Sequence, residues 1–131
     1  MIYIAAPFFS DEEIAIYDKI IEQIKSTYHE EVFVPREHII PDGEKMSNAQ
    51  WGKAVFDMDV EAIDRANLVI AINHGMYSDS GTAWECGYAY AKGIPVHQIL
   101  INREDNKDFS LMMINSSKKI ISTNKAEINQ K

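Results

Sequence analysis

Only one cysteine, Cys86, occurs in the 131 residues, so no intrachain disulfide can form. A lone thiol fits a reducing compartment. Long apolar runs are also missing. No stretch approaches the ~18 consecutive apolar residues that a membrane-spanning helix needs. Positive charge is scarce: 13 Lys and Arg stand against 20 Asp and Glu, for a net charge of -7. That excludes a surface built to neutralise nucleic-acid phosphates, and it disfavours an anionic membrane surface. The first residues, Met1-Ile2-Tyr3-Ile4-Ala5-Ala6, carry no basic leader and read as a strand. The expectation is a soluble cytoplasmic protein without nucleic-acid or membrane partners. Glycine is absent from the Pro7-Phe8-Phe9 loop, so it is not a phosphate cradle, which disfavours a dinucleotide fold. His29, His38, His74 and His97 show no metal-ligand spacing with one another or with Cys86. Neither a metal nor a cofactor is expected.

What is present is a balanced chain. Apolar residues make up 46% of it, enough for one core at this length, and residues 1–131 are expected to form a single domain. Residues 2–6 read as a buried strand ending at Pro7. Ser10 and Glu13 form a capping-box pattern ahead of Ile14, Tyr17, Ile20, Ile21 and Ile24 at helical spacing. Residues 32–34 read as a second strand, and 36–46 as a polar loop. Helical spacing returns from Ser47 to Ala66. There Trp51, Val55, Met58 or Asp59, Ala62 and Ile63 share a face. Residues 68–72 form a third strand, uniformly apolar and so covered on both sides. A loop from Asn73 to Ser80 precedes a helix over Thr82–Lys92, stopped by Gly93 and Pro95. Strands are expected at 96–101 and, weakly, at 120–121, with a helical turn or two over 109–115 between them. The polar end reads as frayed. This alternation predicts an α/β fold with a flavodoxin-like, doubly wound, parallel five-stranded sheet and helices on both faces. Ligands of such sheets bind beyond the carboxyl ends of the strands.

The informative segment for chemistry is Asp79-Ser80-Gly81-Thr82-Ala83-Trp84-Glu85-Cys86-Gly87-Tyr88-Ala89. Glu85 is surrounded by small and apolar neighbours without one charge. A carboxylate there is poorly solvated unless it faces a pocket, and burial raises its pKa. The bland alternative is a first-turn acid that suits the helix dipole, and spacing alone leaves the two evenly matched. Asp79 is a hydroxyl acceptor beside Glu85 or a helix N-cap; both roles coexist only if Ser80 does the capping. Asp59 falls on the apolar face of its helix, four residues from Val55 and from Ile63. Such an acid either pairs with a cation or lines a pocket, where a raised pKa would suit a general acid. Tyr3 is either core packing or a phenol aimed at the nucleophile. Cys86 reads as packing, since nothing cationic stands near it in sequence.

These residues carry a resemblance to the nucleoside 2-deoxyribosyltransferase family. Ile2 through Phe9 resembles its opening strand and aromatic loop. Trp51 through Ile63 resembles its second helix. Asp79 through Ala91 resembles the helix with a G-x-x-x-E-x-G-Y-A pattern that holds its nucleophile. Leu111-Met112 resembles a stretch that completes a neighbouring subunit's pocket. The resemblance implies a glycosyltransferase of nucleoside salvage that needs no cofactor. It would take a 2'-deoxynucleoside and a nucleobase and work with net retention through a glycosyl ester on Glu85. Asp59 would protonate the leaving base, Tyr3 orient the nucleophile, and Asp79 hold sugar hydroxyls. Ser110 stands where the family often has asparagine and would still reach a sugar hydroxyl, though less far. Met112 would come from an adjacent subunit, implying a homo-oligomer, a dimer or a hexamer of dimers, with shared sites. Phe8, Phe9 and Trp51 would supply apolar cover against water. Residues 125–131 contain no aromatic side chain, unlike the tail of some members.

Three other functions compete. Hydrolysis of a 2'-deoxynucleoside 5'-monophosphate is known among relatives, which tend to have serine at the position of Asp79. An ionised aspartate would repel that phosphate by roughly a few kcal/mol at ~4 Å. A non-catalytic nucleoside-binding protein would not need Glu85. A flavodoxin-like interaction domain would leave the three acids far apart. The base preference would rest with the 36–46 loop, where His38 and Glu37 are candidates for base contact.

Overall fold

The protein is described by a computed structural model covering residues 1–7, 10–74, 79–102 and 109–130. Ten elements follow one another: β1 (Ile2–Ala5), α1 (Asp11–Thr27), β2 (Val32–Phe33), α2 (Asn48–Arg65), β3 (Leu68–His74), α3 (Ser80–Ala91), β4 (Val96–Ile101), α4 (Leu111–Ser116), β5 (Lys119–Thr123) and α5 (Lys125–Asn129). The strands pair in the order β2-β1-β3-β4-β5, and every pairing is parallel. This is the flavodoxin-like α/β order expected from the alternation of patterns. The order reverses between β1 and β3, so the chain leaves those two strands in opposite directions. Sheets of this order bind ligands beyond the carboxyl ends of such a strand pair.

Period-two alternation sorts the strand residues into two layers. Tyr3, Ala5, Val69, Ala71, Val96 and Leu100 face α2, α3 and α4. Ile2, Ile4, Ile70, Ile72, Ile99 and Ile101 face α1 and α5. Each helix begins at a side-chain cap. Ser10 accepts from the Glu13 amide at 3.2 Å, with Asp11, Glu12 and Glu13 in the positive first turn of α1. Ser47 and Gln50 form a reciprocal capping box at α2, with bonds of 3.1 and 2.9 Å. Gly93 ends α3 at φ +76°, in the left-handed region that a side chain resists.

The structure departs from the sequence expectation in four places. β3 runs two residues further, through Asn73 and His74, and buries the Asn73 amide. A polar residue at a strand end reads as loop, yet here it finds a partner inside. The 36–46 segment contains two 3-10 turns, Pro35–Glu37 and Gly43–Lys45. β5 spans five residues, although Ile120 and Ile121 are exposed at the sheet edge. The end of the chain forms α5, capped by Asn124 and anchored by buried Ile128 against α1. One apolar side chain in a polar stretch has no period, so nothing in the pattern announces that helix.

Candidate active site

Three elements bring the acidic residues together. β1 carries Tyr3 with its side chain on the α3 side of the sheet, fully buried. α3 turns Cys86 and Ala89 into the core, which brings Glu85 over β1. The Tyr3 hydroxyl donates a hydrogen bond to Glu85 Oε2. Burial, and next the Glu85 charge, raise the Tyr3 pKa far above the ordinary phenol value. The phenol therefore stays protonated and keeps its hydrogen-bond donor aimed at the carboxylate.

Glu85 and Asp59 line the same cleft, a cavity of about 490 Å³ bounded also by Phe56, Val60, Ile63, Ser80, Gly81 and Trp84. Burial pushes the Glu85 pKa up to about 7, opposed by the Tyr3 hydrogen bond and reinforced by the charges of Asp59 and Asp79. Burial also raises Asp59 to about 6, with His38 pulling it down. Asp59 Oδ1 is buried and has no hydrogen-bond partner. A buried acceptor left open in a cleft is an unmet demand that a ligand's N–H, or a proton, can satisfy. Near neutral pH the cleft thus holds two acids that titrate close together, so a single proton exchanges readily between them.

Asp79, next in the chain to Ser80 and Gly81 of the cleft wall, is the N-cap of α3. Its Oδ2 accepts from the Thr82 amide at 3.0 Å. The cap is therefore Asp79 itself, not Ser80 as the division of labour required from sequence. A Cβ at position 81 would lie 3.1 Å from that oxygen, so glycine there leaves room for the carboxylate. Its charge still reaches Glu85.

The other expected residues are placed differently. Ser110 caps α4 by accepting from the Met113 amide at 3.3 Å. It shares with Met112 a groove between α3 and α4, bordered by Ala83, Cys86, Gly87 and Tyr90, separate from the Glu85 cleft. Met112 is 81% exposed. Trp51 is half exposed and lies over Gly43, with His38 and Ile40 in the same hollow rather than in the Glu85 cleft. Phe8 and Phe9 lie outside the described residues. Glu37 pairs with Lys25 at 3.2 Å, whereas His38 stacks on Phe33 at 4.0 Å between ring centroids. Phe33 in turn stacks on Tyr3 at 5.7 Å.

Sequence reasoning passed over the apolar walls of the cleft. Phe56 and Trp84 meet edge to face at 5.4 Å, each about half exposed. A signal for both was available: Phe56 stands one helical turn before Asp59, and Trp84 adjoins Glu85. Cys86 is buried, and burial pushes its thiol up to about 11, which suits packing and not nucleophilic chemistry. Among the described residues no cluster of His, Cys, Asp and Glu could hold a metal ion.

Known proteins point to the same chemistry. The family model for nucleoside 2-deoxyribosyltransferase matches residues 2–124. The solved 2-deoxyribosyltransferase of Bacillus psychrosaccharolyticus is 31% identical, covering 92% of this chain and 84% of its own, with a TM-score of 0.74. A conserved protein from Enterococcus faecalis V583 is 24% identical over 98% of this chain and 94% of its own, with a TM-score of 0.77. The CMP N-glycosidase of Clostridium botulinum is 20% identical over 99% of this chain and 96% of its own, with a TM-score of 0.60. The last two likenesses concern the fold alone. No curated protein matches the sequence.

Proposed function

The chain belongs to the nucleoside 2-deoxyribosyltransferase family of N-glycosyl-transferring enzymes, and from that premise we propose that Glu85 is its nucleophile. One observation carries the reading: Glu85, held by the Tyr3 phenol, borders the same cleft as the partnerless oxygen of Asp59. In the reaction the ionised Glu85 attacks the anomeric carbon of a 2'-deoxynucleoside as the bond to the base breaks. The electron pair of that bond goes to the base, and Asp59 supplies the proton that makes it a neutral leaving group. The result is a glycosyl ester on Glu85. A second base then attacks the same carbon from the vacated face and returns its proton to Asp59. The sugar leaves with net retention.

Asp79 favours a sugar with a free 5'-hydroxyl. Its carboxylate occupies the amino terminus of α3, where a 5'-phosphate would otherwise be welcomed. A phosphate there would meet a fixed negative charge. Phe56 and Trp84 supply the apolar cover that keeps water from the ester.

Assembly into a homo-oligomer belongs to the same reading. Phe56, Trp84, Tyr90, Leu111 and Met112 are large apolar residues exposed on α2, α3 and α4, all on one side of the sheet. A second copy seated on this surface would cover it and bring its own Ser110 and Met112 to the rim of the cleft. Among the described residues no helix is long and apolar enough to cross a membrane. The free, buried Cys86 suits a reducing cytoplasm, with residues 1–131 working as one domain.

The test is incubation with a 2'-deoxynucleoside, with and without a second free base, followed by product analysis. Transfer predicts a new nucleoside that forms only with the acceptor. Free deoxyribose at the same rate in both arms would assign hydrolysis instead. The absence of both products would overturn the proposal.

A further inference from the structure

Behind the catalytic helix lies a buried polar cluster that the reaction does not use. Gln98 on β4 is fully buried, and Asn73 at the end of β3 is 1% exposed, both in an otherwise apolar layer. Gln98 Oε1 accepts from Asn73 Nδ2 at 2.7 Å. Gln98 Nε2 donates to Ser117 Oγ at 3.2 Å and approaches Cys86 Sγ at 3.5 Å. Ser117 Oγ donates in turn to the Met113 carbonyl of α4 at 2.5 Å. One carboxamide therefore uses its acceptor and both N–H groups on β3, α3 and α4 at once.

A cluster made wholly of apolar side chains of similar shape would fill this space at no greater cost to stability. What an apolar side chain lacks is direction. Packing against Ala71, Ala89 and Leu100 lets a helix slide or turn by a fraction of an ångström at little cost, whereas three hydrogen bonds on one rigid amide resist both. Cys86 adjoins Glu85 in sequence, so any turn of α3 about its axis moves the two together. Met113 lies inside the same short helix that presents Met112.

We propose that Gln98 is a positioning residue: its carboxamide ties α3 and α4 to the sheet and so sets where Glu85 stands relative to Tyr3 and the sugar. The inference rests on the reading of Glu85 as nucleophile. It acts through placement, since Gln98 touches no substrate and holds no proton of the reaction.

The test compares wild type with Gln98→Met, which keeps length and volume but removes all three bonds. Two readouts are taken on protein shown to be folded by its melting curve. Steady-state transfer should lose kcat by roughly tenfold to a hundredfold, because a displacement under an ångström at the nucleophile is enough. KM for the nucleoside should stay within about twofold, since the cleft walls are untouched. Carbon-13 titration of the Glu85 carboxyl should show a shifted midpoint, as its bond with Tyr3 loosens. A variant on the opposite face, Ile72→Val, provides a stability control that should keep both readouts. If Gln98→Met does not fold, Ser117→Ala cuts the α4 arm alone and should give a smaller change in the same direction. Wild-type kcat with an unchanged Glu85 titration in either folded variant overturns the proposal. Should wild type show no glycosyl transfer or hydrolysis, the function proposed above fails, and the titration still decides this inference.

Discussion

The two faces of the sheet are built from the same strands and by opposite rules. Toward α1 and α5, eleven of the thirteen buried core residues are isoleucine. Toward α2, α3 and α4 only Ile63 is, and Ala5, Ala62, Ala66, Ala71 and Ala89 take much of the space. The difference is one of distance. Branched side chains fill a thick layer and hold α1 off the sheet by volume alone. Alanines let α3 approach closely enough for a glutamate on the helix to meet a tyrosine on β1. The thin layer is also where the buried polar groups collect, Tyr3, Thr82, Asn73 and Gln98 among them. One face is thus given to cohesion and the other to placement.

The sharpest way to break this comparison is Glu85→Gln. The variant keeps shape and a hydrogen-bonding group but removes the anionic nucleophile. Turnover should fall by about a thousandfold or more, with the fold kept. Near wild-type turnover in a discontinuous assay would sink the mechanism. A 2'-fluorinated nucleoside with a good leaving base should leave an adduct on Glu85 of the wild type, located by mass spectrometry. An adduct on Asp59 or Asp79 would reverse the roles. The same substitution has a stability signature. Folding raises the Glu85 pKa from 4.5 to about 7, so folding favours its neutral form. The benefit is complete below about 4.5 and is lost as pH climbs through about 7. Glu85→Gln does not suffer that loss. Its melting temperature relative to wild type should therefore rise across this window, and a constant difference would argue that Glu85 is well solvated.

The pH profile of turnover comes next in size. In the proposed mechanism attack needs Glu85 ionised and Asp59 protonated, the less populated of the two singly protonated forms, because burial brings their values to about 7 and about 6. The rate should pass through a narrow maximum between these values and fall on either side, with limbs that belong to the pair. Asp59→Asn should remove one limb. A flat profile from pH 5 to 8 would contradict the two-acid reading.

Substitution on the isoleucine face tests the other half of the comparison. Ile20→Ala should cost about 2–5 kcal/mol of stability in denaturant titration while kcat of the folded fraction stays unchanged. A comparable loss of kcat would show that both faces place the nucleophile. On the alanine face, Ala89→Val should cost less, about 1–3 kcal/mol, yet should lower kcat because it pushes α3 outward. The smallest expected effect is that of Asp79→Ala, about 0.5–2 kcal/mol from the lost cap. Its informative readout is relaxed discrimination against a 5'-monophosphate in competition assays. Unchanged discrimination would place the 5' group elsewhere.

Much of the architecture was legible because alternation and helical spacing survive in single elements. Residues 96–101 were read to the residue, and Ser10 could be named as a cap from its neighbours alone. The acid cluster was legible in part. Glu85 stood out because no charge surrounds it, and Asp59 because it interrupts an apolar face. Trp51 looked like a wall of the same cleft and lies over Gly43 instead. Helical spacing assigns a face, but it does not say which neighbour that face meets.

Sequence by itself determined the class of fold and the order of elements through β5, and it singled out Glu85 and Asp59 as candidates, because each depends on patterns within about twenty residues of chain. Tertiary structure alone decided the rest. It decided that Asp79 caps α3, since Asp79 and Ser80 are equally able to do so until the backbone turns. It decided that Asn73 belongs to a strand, because its partner Gln98 is 25 residues away. It decided that Tyr3 meets Glu85, a contact across 82 residues. No local pattern encodes such a pair: the hydrogen bond forms only once the sheet has set β1 beside β3 and the thin alanine layer has let α3 come down upon them.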